Sequence, residues 1–241
     1  MVGNATTEVL LLSVSAGAGL SAVFVLMLFG VLPDMTQAAW SGILAGPLLI
    51  GSAGLTYLGI ERLLARGGNP SRALEPIGSR ADKPRERSSV WMGLLIALTG
   101  VVVAMIGSMV LGLAQEFLFE VEVEEQRVIL DLVARGDRFE LALLGVSAVL
   151  LAPVTEELLF RHMFFRRLLQ ASGPVLALTL SALAFALAHW NPIGLLIYAW
   201  LGTVFALAYW YSGRLWVAML VHAGHNAFAL YMLLNMPDAL P

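Results

Sequence analysis

A chain of 241 residues with 59% hydrophobic and 13% charged residues, at a mean hydropathy of +0.82, is far more apolar than a soluble domain, in which about a quarter of residues carry charge. The composition is that of a polytopic membrane protein. The net charge of −3 gives no support to nucleic-acid binding, and the absence of cysteine excludes disulfides, a thiol nucleophile and Cys-ligated metal.

Runs long enough to cross about 30 Å of hydrocarbon predict an all-α transmembrane bundle of about seven helices, near residues 9–32, 38–60, 90–113, 139–160, 174–190, 193–211 and 214–235. The first run has no basic leader and exceeds the core of a signal peptide, so it is expected to be a retained span. The connection 61–89 carries Arg62, Arg66, Arg72, Arg80, Lys83, Arg85 and Arg87 among Gly, Pro and Ser, and reads as a cytoplasmic loop by the positive-inside rule. By alternation the N-terminus is cytoplasmic too, and the acidic segment 115–138, with Glu120, Glu122, Glu124 and Glu125, lies outside as a solvated or interfacial helix. Arg161, Arg166 and Arg167 after the fourth run, and Arg214 between the last two, fall on the predicted cytoplasmic side. Tyr209, Trp210, Tyr211 and Trp216 cluster there as an interfacial belt. If the source is bacterial, the location is the plasma (inner) membrane. The chain divides near residue 138: the N-terminal part, 1–138, is expected to hold almost no polar chemistry, and the helical core 139–241 nearly all of it.

The polar chemistry centres on Glu156 and Glu157, adjacent carboxylates in a run otherwise apolar enough to cross a bilayer. Ionisable groups at that depth are costly and by default mark a functional site. Glu157 and Arg161, four residues apart, share a helix face and form an ion pair in the favourable order, whereas Glu156 is rotated about 100° away and is left for chemistry. Two further pairs have the same spacing, Phe185 with His189 and His222 with Asn226. With a hairpin at Gly173-Pro174, Glu156 and His189 rise to about the same height on antiparallel neighbours; His222 and Asn226 rise roughly 13 and 20 Å from the turn at Gly213. The small residues Ala182, Ala184, Ala186, Ala188, Ala223 and Gly224 let these helices close around one cavity.

That set suits hydrolysis. A buried glutamate can take a proton from water, a neighbouring His can share it, and a His with an amide donor can hold an oxyanion. Taken singly the elements have plainer readings: a structural ion pair for Glu157 and Arg161, an interior or interfacial His189, a packing Phe185. His225 and His162 are expected to be structural or solvated. The three elements in order carry the functional reading.

With those residues the sequence resembles the CPBP intramembrane peptidases, which comprise the CAAX prenyl endopeptidases and the bacteriocin-processing or self-immunity proteins. The family pattern is Glu-Glu-x-x-x-Arg, Phe-x-x-x-His and His-x-x-x-Asn; Glu156, Glu157 and Arg161, Phe185 and His189, and His222 and Asn226 match it without departure. The resemblance covers residues from roughly 139 to 235. It implies a helical bundle with a wet cavity open toward the cytoplasmic side, hydrolysis of a peptide bond near the membrane, water activation by Glu156 with His189, and an oxyanion site at His222 and Asn226. No cofactor is required on this reading. A divalent metal such as zinc is the alternative, with Glu156, His189 and His222 as the set that could ligate it, although there is no His-Glu-x-x-His. The expected partners are the bilayer and a peptide or membrane-protein substrate; oligomeric state is not legible. Competing functions are a membrane scaffold or immunity protein, a metal or proton transporter, and a serine protease on Gly145-Val146-Ser147-Ala148. The last is disfavoured because a Ser within a helix commonly bonds its own backbone four residues back.

Overall fold

The structure is a computed structural model that describes residues 5–31, 39–66, 88–119, 132–133, 135 and 137–235. Most of the basic connection, 67–87, and the acidic stretch 120–131 lie outside the described residues. The rest forms seven helices: α1 (Ala5–Leu28), α2 (Ala39–Arg66), α3 (Val90–Phe119), α4 (Arg138–Ser172), α5 (Pro174–Ala188), α6 (Leu195–Ser212) and α7 (Leu215–Asn235). All except α5 are long and apolar enough to cross a membrane, so the chain is an integral multi-pass membrane protein.

Two helices depart from the expected runs. The fourth was expected to stop near residue 160 but continues to Ser172, a run of 35 residues. Gly173 ends it by taking φ +80°, a conformation costly for residues with a Cβ. Arg161, Arg166 and Arg167 therefore sit within a helix and are buried rather than marking a loop. The fifth helix, opened by Pro174, has 15 residues and extends only about 22 Å. It ends at His189, and the next residue, Trp190, takes φ +52°.

The side-by-side order agrees with the charge pattern. At one end Tyr57 donates to Glu8 at 2.9 Å, Arg167 Nε donates to Glu61 at 2.7 Å, and Arg214 Nε donates to the Ser88 carbonyl at 2.7 Å. The start of α1, the end of α2, the start of α3 and the α6–α7 turn thus share an end with the basic residues. At the other end Gln115 Nε2 donates to the Ile193 carbonyl at 2.8 Å. The same contacts correct the expectation of an N-terminal part nearly free of polar chemistry, because Glu8, Tyr57 and Glu61 are all buried. Tyr209 is corrected as well: it is buried beside Phe165 and 3.4 Å from His162, not exposed in an interfacial belt.

The core lies where α4 meets α5, α6 and α7. Phe160, Phe185, Phe205, Val217 and Val221 fill it, and all five are buried. The polar side chains that matter are packed among these rings.

Candidate functional site

Helix α4 is not a plain α-helix where it carries the double glutamate. Ser147–Leu151 and Glu157–Phe165 are wound as π-helix, with i→i+5 hydrogen bonds, on either side of one α-helical turn. Such winding is rare and concentrates at functional sites. It also alters which backbone groups are paired. In the i→i+5 register the Ala148 carbonyl would be met by residue 153, but Pro153 has no N–H, and the Ala152 N–H is spent on Ser147. Asn226 of α7 fills the gap, donating from Nδ2 to the Ala148 carbonyl at 2.8 Å.

The expected pair between Glu157 and Arg161 is present, with Nε 3.1 Å from Oε2 and both side chains fully buried. Three rings enclose the guanidinium, Phe185 at 4.6 Å, Phe205 at 5.7 Å and Phe160 at 5.8 Å from its carbon, and its two Nη atoms have no hydrogen-bond partner among the described residues. Faces of aromatic rings can hold a desolvated cation in this way. Glu157 has a second partner that spacing did not reveal: its Oε1 accepts from His222 Nδ1 at 3.0 Å.

That bond sets the His222 ring. A carboxylate only accepts, so Nδ1 carries the proton, and Nε2 is the atom left for other work. The ring is held flat against Phe205, with centroids 4.5 Å apart and planes at 18°. His189 is fixed by the same device. Its Nδ1 donates to the Phe185 carbonyl at 2.8 Å, and its ring stacks on Tyr198 at 4.0 Å. Phe185 is the hub: its ring contacts those of His189 at 4.7 Å and His222 at 5.7 Å, edge-on to the latter.

Glu156 completes the group. It lies near His189 and Arg161, and among the described residues its buried Oε2 has no hydrogen-bond partner. The structure therefore gathers Glu156, Glu157, Arg161, Phe185, His189 and His222. Asn226 stands one turn further along α7, tied to α4. His225 is not solvated, for its Nε2 lies 3.3 Å from the Ser108 hydroxyl. Ser147 is bound, but not to its own helix: its hydroxyl donates to Ile43 of α2 at 2.9 Å. Three contributors had no signal in the sequence. Tyr198, Phe205 and Ser108 are ordinary members of apolar helices, and only packing brings them to the site.

The group offers two bare Nε2 atoms and a carboxylate, donor types that zinc accepts. Among the described residues no group of three or more His, Asp or Glu side chains is placed to hold an ion.

Residues 138–228 match the family model of Type II CAAX prenyl endopeptidase Rce1-like proteins, from the first residue of α4 to two residues past Asn226. That match takes in well under half of the chain and is a likeness of this segment to the family. The chain is 26% identical over 152 residues to a putative membrane peptidase, YdiL, of Bacillus subtilis, a match covering 62% of this chain and 60% of that protein. It is 34% identical over 97 residues to the membrane-embedded CAAX protease MroQ of Staphylococcus aureus, covering 38% of this chain and 39% of that one. The matches thus span less than two thirds of either relative. No solved structure matches the chain. The matched segment contains every motif residue, and the segment before it falls outside the family model.

Proposed function

We propose that the protein is an intramembrane endopeptidase that hydrolyses a peptide bond of a membrane-associated or peptide substrate, with Glu156 as the base. The observation that carries this reading is the buried carboxylate oxygen of Glu156, without a hydrogen-bond partner among the described residues and near His189, whose Nδ1 is already committed. The family match and the two relatives named as peptidases support it. In the proposed reaction Glu156 removes a proton from water and the hydroxide adds to the scissile carbonyl. His189, through Nε2, takes part in passing that proton to the leaving amine. The second Nδ2 hydrogen of Asn226 and the Nε2 of His222 hold the oxyanion. His222 can donate there only with both ring nitrogens protonated, a cation that faces the Glu157 carboxylate.

On this reading no cofactor is needed, the substrate is a peptide or membrane protein met within the bilayer, and the basic end of the bundle faces the cytoplasm, the N-terminus with it. In a bacterial cell that bilayer is the inner membrane. The test is a peptide library incubated with the full-length protein in lipid vesicles and read by mass spectrometry. Wild type should release fragments, and Glu156→Gln should fold normally with cleavage lower by about 10²–10⁴-fold, the span of a lost general base. A folded Glu156→Gln protein cleaving at the wild-type rate would overturn the proposal.

A further inference from the structure

Asn226 is held from two sides. On one, its Nδ2 donates to the Ala148 carbonyl at 2.8 Å, an acceptor that Pro153 leaves without a partner inside α4. On the other, its Oδ1 faces His225 Nδ1 at 3.5 Å, and His225 Nε2 lies 3.3 Å from the Ser108 hydroxyl of α3. Helix α3 comes this close because both helices present glycines at the contact. A Cβ at Gly224 would lie 2.7 Å from Val101 Cγ2, and one at Gly100 would lie 2.7 Å from Val221 Cγ2. Interlocked small residues let membrane helices approach until side-chain hydroxyls can bond across them.

Hydrogen-bond chemistry orders this row in one direction. The Ala148 carbonyl can only accept, so Nδ2 points to it and Oδ1 must point to His225. An amide oxygen only accepts as well, so His225 carries its proton on Nδ1. Nε2 is then an acceptor, and the hydroxyl of Ser108 is the donor that serves it, in place of the Met105 carbonyl that it also reaches at 3.1 Å. Each group from Ser108 to His225 to Asn226 to Ala148 donates to the next. The one hydrogen left over is the second on Asn226 Nδ2.

We infer that His225 and Ser108 are positioning residues for the peptidase site: they lock the amide of Asn226 so that its second N–H is kept for the oxyanion, and α3 thereby takes part in the reaction without touching substrate. This rests on the proposed peptidase reading and on Asn226 as oxyanion donor. It assigns a role to a residue outside the three motifs and to a helix outside the matched family segment.

The test has two readouts on the full-length protein. In cleavage assays His225→Phe should lower kcat about 5–20-fold with KM little changed, as expected when a donor acting mainly in the transition state is misaligned. His225→Gln, which keeps a donor and an acceptor, should recover much of the loss. In an Asn226→Ala background His225→Phe should cost nothing further, because residues that act as a unit are not additive. The second readout needs no activity: ¹⁵N spectra of protein labelled at His and Asn, in micelles, should show His225 protonated on Nδ1, and Ser108→Ala should shift the Asn226 side-chain amide signals. Losses that multiply in the double variant, or a ring protonated on Nε2, would overturn the inference. An inactive wild type with His225 protonated on Nδ1 and a responsive Asn226 amide would sink the peptidase reading and leave the positioning intact.

Discussion

Glu157 accepts a hydrogen bond from His222 Nδ1 at 3.0 Å across 65 residues of sequence, while its other oxygen lies 3.1 Å from Arg161 Nε. One carboxylate thus neutralises a fully buried arginine and sets the tautomer of a histidine on another helix. Structural support and chemistry meet in a single side chain, so substitutions along this row should separate into effects on stability and effects on turnover.

Arg161→Ala belongs with stability. It removes the cation and leaves Glu157 charged in a dry site, and breaking a buried pair from one side costs about 3–5 kcal/mol. Thermal unfolding in detergent should show a large fall in Tm. Adding Glu157→Gln should restore part of it, since the orphaned charge is then gone. An Arg161→Ala protein as stable as wild type would refute the structural role of the pair.

On the proposed mechanism His222 and Asn226 belong with turnover. Changing either to Ala should lower kcat by about 10²–10³-fold with little effect on KM, because oxyanion donors act in the transition state. A rise in KM at unchanged kcat would instead place them in ground-state binding.

The metal-free reading predicts that a strong chelator leaves cleavage unchanged. If His189 and His222 served as zinc ligands, chelation would abolish activity, added zinc would restore it, and either His→Ala variant would lose the ion. Elemental analysis of active, chelator-treated protein distinguishes the two outcomes.

Orientation can be read from one helix. Ser89 and Glu116 are exposed near opposite ends of α3. Cysteine at Ser89 should be shielded from an impermeant thiol reagent in intact cells and cysteine at Glu116 should react; the reverse pattern would invert the topology.

The spans and the motif geometry were legible in the sequence for a simple reason: apolar runs and i, i+4 spacing are local properties. Glu157 with Arg161 and Phe185 with His189 are joined as their spacing implies. The reach of α4 was not legible, because Arg161, Arg166 and Arg167 look like the end of a span when Glu157 and Glu61, the buried partners of Arg161 and Arg167, are not considered. The π winding was hidden as well, for its clue is a proline whose missing N–H matters only once the register is known. The link between Glu157 and His222, and the rings of Phe205 and Tyr198 beneath the two histidines, depend on how α6 and α7 pack. No periodicity encodes that.

Helix α5 ends after about 22 Å, short of the roughly 30 Å of hydrocarbon that its neighbours cross, and His189 sits at that end. A bilayer fits a short element by thinning around it or by drawing interfacial groups inward, at a cost that grows with each ångström of mismatch. The lipid itself is therefore a variable of this site. Longer acyl chains would add to the mismatch at the end of α5, where His189 stacks on Tyr198, and shorter chains would reduce it. On the proposed peptidase reading, cleavage should then vary with bilayer thickness alone.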